Sequence, residues 1–155
     1  MTDTWPRADL NPVHRLRALA AGIPGAHVTE RLIDAPFDEV WPVAGDLEGE
    51  FGNYQPDMRH VRITRTNGDR LEAVARSRFG LRARFDVVSR PGWCWMQSRL
   101  LLIGVAAAPA DGGTLIAMTG GVRVPGRAAI LPWGVRRESA KALHRLTIRV
   151  RARAE

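Results

Sequence analysis

The stretch Val28-Thr29-Glu30-Arg31-Leu32-Ile33, running directly into Asp34-Ala35-Pro36-Phe37-Asp38-Glu39-Val40-Trp41, decides how the rest of the chain is read. Val28 to Ile33 is rich in β-branched and apolar residues and predicts a strand. Pro36 ends that strand, because proline lacks the N–H a ladder needs, and its fixed φ suits the first turn of a helix. Asp38 and Glu39 then place negative charge where a helix N-terminus favours it. Val40 and Trp41 begin an apolar face. The junction is a strand feeding a helix, expected from Phe37 to about Leu47.

Upstream, Asn11 to Ala21 predicts a short accessory helix. Asn11 is a good N-cap, Pro12 fits the first helical position, and Gly22 with Pro24 makes a stop. Val13, Leu16 and Ala20 form its apolar face. Downstream, Gly49 to Pro56 is a loop or a second short helix, and a series of strands follows. Met58 to Thr66 ends at Asn67-Gly68-Asp69, a strong hairpin signal because Asn-Gly tolerates positive φ. Leu71 to Arg78 and Leu81 to Arg90 flank a turn at Phe79-Gly80. Trp93 to Ser98 is a strand, and the apolar run to Ala108 holds another whose start is poorly marked. Asp111-Gly112-Gly113 turns the chain into a strand from Thr114 to Val124, ended by Pro125-Gly126. From Val135 to about Arg153, the residues Val135, Ser139, Ala142, Leu143, Leu146 and Val150 lie on one helical stripe, with Ile148 off it. A run of strands closed by one long helix reads as α+β, the helix packed on the apolar face of an antiparallel sheet.

Alternation around Phe79-Gly80 puts Leu71, Ala73, Ala75, Ser77, Ala83, Phe85 and Val87 on the core face. The small residues there permit either close helix packing or a cavity between sheet and helix. The other face carries Arg76, Arg78, Arg82 and Arg84. A pairing that follows the turn sets Arg76 opposite Arg84 and Arg78 opposite Arg82, a repulsive arrangement. It fits either an anion-docking patch or a solvated face where water screens the charge.

At 155 residues the chain has the length of one domain, with a core-forming share of hydrophobic residues (45%). The charge is +7, and of 23 Lys and Arg only Lys141 is lysine. Such a balance allows weak contact with anionic surfaces but does not name a partner. Zinc-finger spacing, an aromatic RNA-binding motif and a long basic helix are all missing, so no specific nucleic-acid partner is expected. The single Cys94 excludes an intramolecular disulfide and fits a reducing cytoplasm. The N-terminus has no apolar signal segment, and the longest apolar run, Leu100 to Ala110, is too short to span a membrane.

The motif Ile33-Asp34-Ala35-Pro36 with Glu39-Val40-Trp41, the Asp111-Gly112-Gly113-Thr114 hairpin and the terminal amphipathic helix together resemble the SRPBCC superfamily of START-like, Bet v 1-like and polyketide cyclase/dehydrase-like domains. The resemblance covers residues 26–155, with residues 1–25 as an N-terminal segment. It implies a helix-grip fold: a curved antiparallel sheet of about seven strands wrapped around the C-terminal helix, with two short helices after the first strand. It also implies a hydrophobic pocket between sheet and helix, which favours the cavity reading of Ala73, Ala75 and Ala83. Members bind lipids, sterols, polyketides or plant hormones, and some catalyse cyclisation or aromatisation. Fold alone does not choose among these.

The polar residues open to a role in such a pocket are Tyr54, Asp57, His60, Trp95, Gln97 and Arg99. Tyr54, the only tyrosine, could protonate an enolate or simply pack. His60 could act as a base, although alternation puts it with Arg62 and Thr64 on a solvent face. Arg99 could clamp an anion or sit in a turn. Trp93 and Trp95 share one face; if it is concave they wall the pocket, and if convex they mark a partner surface. Trp133 could gate the cavity or anchor the last helix. The expected ligand-contacting set is Tyr54, Ala75, Phe85, Trp95, Gln97, Trp133, Leu143 and Leu146, with Tyr54, His60 and Arg99 the catalytic candidates. His14, His27, His60 and His144 show no metal spacing, and the glycine pairs Gly112-Gly113 and Gly120-Gly121 form no phosphate loop, so no metal and no cofactor are expected. The reading is a cytoplasmic, bacterial carrier or sensor of a small hydrophobic, lipid- or polyketide-like molecule, monomeric or homodimeric. The alternative is a cyclase or aromatase using acid–base groups in the same pocket.

Overall fold

A computed structural model describes residues 10–55, 58–124, 126, 130–131 and 135–155. The elements run α1 (Pro12–Ala21), β1 (Thr29–Ile33), α2 (Phe37–Ala44), α3 (Phe51–Tyr54), β2 (Met58–Asn67), β3 (Arg70–Ser77), β4 (Arg82–Arg90), β5 (Trp93–Gln97), β6 (Leu101–Ala110), β7 (Gly113–Arg123), β8 (Ile130–Leu131) and α4 (Val135–Ala154). All strand pairings are antiparallel. The sheet order is β1-β7-β6-β5-β4-β3-β2, with the two-residue β8 also pairing with β7. This is an α+β helix-grip architecture, and β8 is the strand that the sequence pattern does not suggest.

Local chemistry explains the element ends. The Asn11 side chain accepts a hydrogen bond from the backbone N–H of His14 at 3.0 Å, capping α1 as its sequence predicts. Pro36 stands at the N-cap of α2 in an extended conformation, and Asp38 and Glu39 fill the first turn. Thr114 donates its hydroxyl to the Ala35 carbonyl and Thr119 donates to that of His27, tying both ends of β1 to β7.

The sheet is covered on parts of both faces. On the inner face α4 buries Ala142, Leu143, Leu146 and Val150 against a core that includes Phe51, Phe85, Met96, Ile116 and Met118. Ile148 is exposed, as its place off the stripe requires. On the outer face α1 lies over β6 and β7. Its Val13 and Leu16 pack with Trp93, Ala106, Ala108 and Ala117 in a second cluster joined by Trp95 and Val88. Gly104 makes that approach possible. A Cβ there would stand 3.1 Å from Leu16 Cδ1, 3.1 Å from Trp95 Cε3 and 3.0 Å from Thr119 Cγ2. Arg17 of α1 closes the layer with a two-pronged ion pair to Glu30 of β1, one limb at 2.8 Å.

The β3–β4 register differs from the expected one. Arg76 pairs with Arg82, and Val74 with Arg84. The turn is longer than Phe79-Gly80 alone: Ser77 N–H donates to Leu81 O and Gly80 N–H to Ser77 O. Arg78 therefore belongs to the turn rather than to a cross-strand pair. Arg84 reaches across the strands to Glu72 at 2.9 Å, so of the four arginines only Arg76 and Arg82 stand directly opposed.

Candidate functional site

Strand direction puts one end of the sheet together with the start of α4. The C-terminal ends of β3, β5 and β7 and the N-terminal ends of β2, β4 and β6 all lie there. Between β6, β7 and the first turns of α4 opens a cleft of about 180 Å³. Leu101 and Ile103 of β6 and Met118, Gly120 and Val122 of β7 lie on its inner-face wall, with Met58 beside them. Gln55, Thr119, Glu138 and Ser139 are the polar residues of the lining. Gly120, directly opposite Ile103, leaves the wall bare of a side chain where a Cβ would meet the Leu102 carbonyl at 2.8 Å. A glycine inside an apolar strand is the signal in the sequence that marks this spot.

The residues anticipated from sequence do not gather at this cleft. Ala75, Phe85, Leu143 and Leu146 do face the space between sheet and helix, but deeper, each essentially inaccessible within the packed core. Ala73 is also fully buried there, so the small residues of β3 accommodate close packing and the opening lies under β6 and β7 instead. Trp95 projects from the outer face, where its ring stacks on Trp93 at 6.1 Å between centroids beneath α1. Period two placed the pair on one face correctly; α1 then covers them, so they neither wall the pocket nor form an open partner surface. Gln97 shares that outer face and lies beside Arg123, whose guanidinium nitrogens reach its amide oxygen at 3.1–3.2 Å once the amide is turned to satisfy both groups. His60 is exposed on the outer face near Arg62, Arg76 and Arg82. Arg99 is exposed in the β5–β6 turn. Asp57 and Trp133 fall outside the described residues.

Tyr54 is fully buried, and its hydroxyl donates to the Ala44 carbonyl at 2.6 Å. That carbonyl is one of the last four of α2, which have no partner inside the helix. Burial first, then the nearby Cys94, Asp46 and Glu50, hold the phenol well above its ordinary pKa of 10.0. Cys94 is buried as well, and desolvation pushes its thiol up to about 12. The Glu50 carboxylate takes a two-pronged bond from Arg149 of α4 at 2.9 and 3.0 Å. Asn53 donates to it at 3.2 Å and Arg153 lies 3.7 Å away. Chiefly through Arg149, its pKa is held below 4.5. This pair joins the loop before α3 to the final helix. Among the described residues, no buried side-chain polar atom lacks a hydrogen-bond partner, and no three His, Cys, Asp or Glu side chains stand close enough to share a metal ion. No helix among them is long and apolar enough to cross a membrane.

Solved structures share this fold. The Zhui aromatase/cyclase from Streptomyces sp. R1128 superposes over 84% of this chain and 95% of its own, at 15% identity and a TM-score of 0.57. The protein TTHA0849 from Thermus thermophilus covers 84% and 99%, at 18% identity and a TM-score of 0.60. These neighbours are Bet v 1-like, or SRPBCC, proteins. The chain has the SRPBCC fold. Its likeness extends to the di-domain ARO/CYC StfQ from the steffimycin biosynthetic pathway, matched over 92% of this chain and 55% of StfQ at 10% identity, with a TM-score of 0.64. At such identities the SRPBCC likeness speaks for the fold alone. No family model matches the sequence, and no curated protein matches it.

Proposed function

We propose that this protein binds a small hydrophobic molecule in the cleft between β6, β7 and α4, as a carrier or sensor. The observation that carries the reading is the cleft itself: Met58, Leu101, Ile103, Met118 and Val122 around a bare Gly120, with Gln55, Thr119, Glu138 and Ser139 as the polar residues of its lining. Apolar walls with a few polar groups are what small-molecule sites use. A dry cavity of roughly 150 Å³ can hold a benzene-sized guest. The size supports a ligand that inserts one ring or the end of an acyl chain, as a lipid- or polyketide-like molecule can.

The names of two structural neighbours favour a second reading, an aromatase or cyclase acting in the same cleft. It requires acid–base groups that converge on the guest. Tyr54 has its hydroxyl engaged by Ala44, while His60 and Arg99 are solvent-exposed and outside the cleft lining. Glu138 is the ionisable residue in the lining, and it lies 3.6 Å from Lys141. This distribution supports binding over catalysis.

Native mass spectrometry of protein purified from its own host, paired with titration of a fluorescent fatty-acid analogue, tests the proposal. A co-purifying hydrophobic molecule, and probe binding weakened at least tenfold by Ile103→Trp, are expected. Absence of any guest together with no probe binding would sink it.

A further inference from the structure

We propose that the end of the sheet bearing the cleft docks on an anionic lipid bilayer, led by the tip of the β3–β4 hairpin. Phe79 and Leu81 at that tip are 75% and 72% exposed, the two most exposed large hydrophobic residues among those described. Between them Gly80 turns the chain at φ 79°, and a Cβ built on it would meet nothing within 4 Å. On the β4 side the tip stands clear of β5, while on the β3 side β2 runs alongside as far as the Met58–Ser77 pair. Asp86 pairs with Gln97 at the end of β5, and β4 continues from there through Arg82, four residues further. That overhang is about 13 Å.

Apolar residues cluster at this end more widely. Leu100, in the adjacent β5–β6 turn, is 56% exposed, and Val122, at the cleft, is 43% exposed. Arg76 and Arg82 flank the tip as a directly opposed pair, and Arg99 is exposed in the next turn. Arg78 lies over the Phe79 ring at 4.8 Å. Exposed aromatic and aliphatic side chains ringed by arginine are what an anionic membrane surface accepts. The apolar groups enter the acyl boundary, and the guanidinium groups meet phosphates at the headgroup level. A second copy of the chain is the poorer partner, because two tips with opposed arginines repel one another. The Arg76–Arg82 pairing, unfavourable in isolation, becomes favourable once phosphate oxygens lie beside it.

The cleft opens at the same end of the sheet, so docking would present it to the bilayer. That consequence rests on the ligand reading; the docking itself does not. The test is sedimentation of the full chain with vesicles of phosphatidylcholine alone and of phosphatidylcholine with about a third phosphatidylglycerol, at low and high salt. Binding to the anionic vesicles only, reduced by salt, is expected. Phe79→Ser with Leu81→Ser should weaken it at least tenfold with an unchanged unfolding midpoint. Arg82→Gln with Arg99→Gln should weaken it by about 25-fold, near fivefold for each charge. Ile103→Trp should leave vesicle binding intact, which separates this proposal from the ligand reading. No binding at low salt, or binding indifferent to the tip substitutions, overturns the proposal. So does a concentration-dependent dimer that the tip substitutions abolish without any vesicle binding.

Discussion

Replacing Tyr54 with phenylalanine removes one oxygen and keeps the ring that stands edge-on to Phe51 at 5.4 Å. The loss falls on the Ala44 carbonyl. That group lies at the C-terminal end of α2 in a residue only 1% exposed, where water cannot replace the 2.6 Å bond. A buried acceptor left without a donor costs about 1–3 kcal/mol. For a domain of this length each kcal/mol lowers Tm by roughly 2–4 °C, so a fall of about 2–12 °C is expected. Thermal and urea unfolding followed by circular dichroism measure it. Binding of the fluorescent probe by the folded variant should be unchanged, because the hydroxyl does not face the cleft. The wild type offers a second readout, since Tyr54 is the only tyrosine. Burial raises its pKa, so tyrosinate absorbance should appear on alkaline titration only when the protein unfolds. An unchanged Tm together with lost binding or turnover would refute the packing role and restore Tyr54 as a site residue. A tyrosinate signal near pH 10 in folded protein would do the same.

Three further outcomes follow from the same structure. Gly104→Val should force α1 away from the outer face, because the new side chain meets Leu16, Trp95 and Thr119 at 3.0–3.1 Å from its Cβ; overpacking of this kind costs about 1–3 kcal/mol, and limited proteolysis should cut first within 12–21. Glu50 has a folded pKa below its reference of 4.5, so the unfolded chain binds the proton more readily; the stabilisation is complete above that reference and is lost as pH falls through the folded value. Urea midpoints between about pH 7 and pH 3 should therefore decline more steeply for wild type than for Glu50→Gln. Cys94, 1% exposed with its thiol pushed up to about 12, should resist an aromatic disulfide reagent in folded protein and react at once in denaturant; rapid reaction in native buffer would show that the core around it opens.

How far the residues could be read depended on whether the deciding information was local. Asn11, Pro12 and Gly22 framed α1, and Pro36 with Asp38 and Glu39 framed α2, because capping chemistry lies within a few residues of the end it controls. The stripe Ala142, Leu143, Leu146 and Val150 announced the buried side of α4 for the same reason. The side of the sheet taken by Trp95 and Gln97 was not local. Period two says which residues share a face and never which partner covers it, and here an upstream helix claimed the outer one. The run Gly104 to Ala108 hid its alternation because β6 is buried on both faces, by α1 outside and the main core inside. The β3–β4 register turned on the length of one turn, set by Ser77 and Leu81, which composition at Phe79-Gly80 does not disclose. The cleft is not legible in the sequence because its walls come from residues ordinary in any strand, made distinctive only by Gly120 lying opposite Ile103.

The place of β1 at one edge of the sheet has a consequence for how the chain reaches this structure. Among the described residues its only strand partner is β7, and the bond from Thr119 to His27 joins positions 92 residues apart. Loops of that span close slowly, because their entropy is lost before any contact repays it. The hairpins from β2 to β7 are local and can assemble first. During that interval β7 has an open edge, and the apolar outer face of β6 and β7 has no helix over it. Segments exposed in this way invite strand addition from other chains. On the ribosome β1 and α1 leave before β7, so neither can take its native place until β7 has followed.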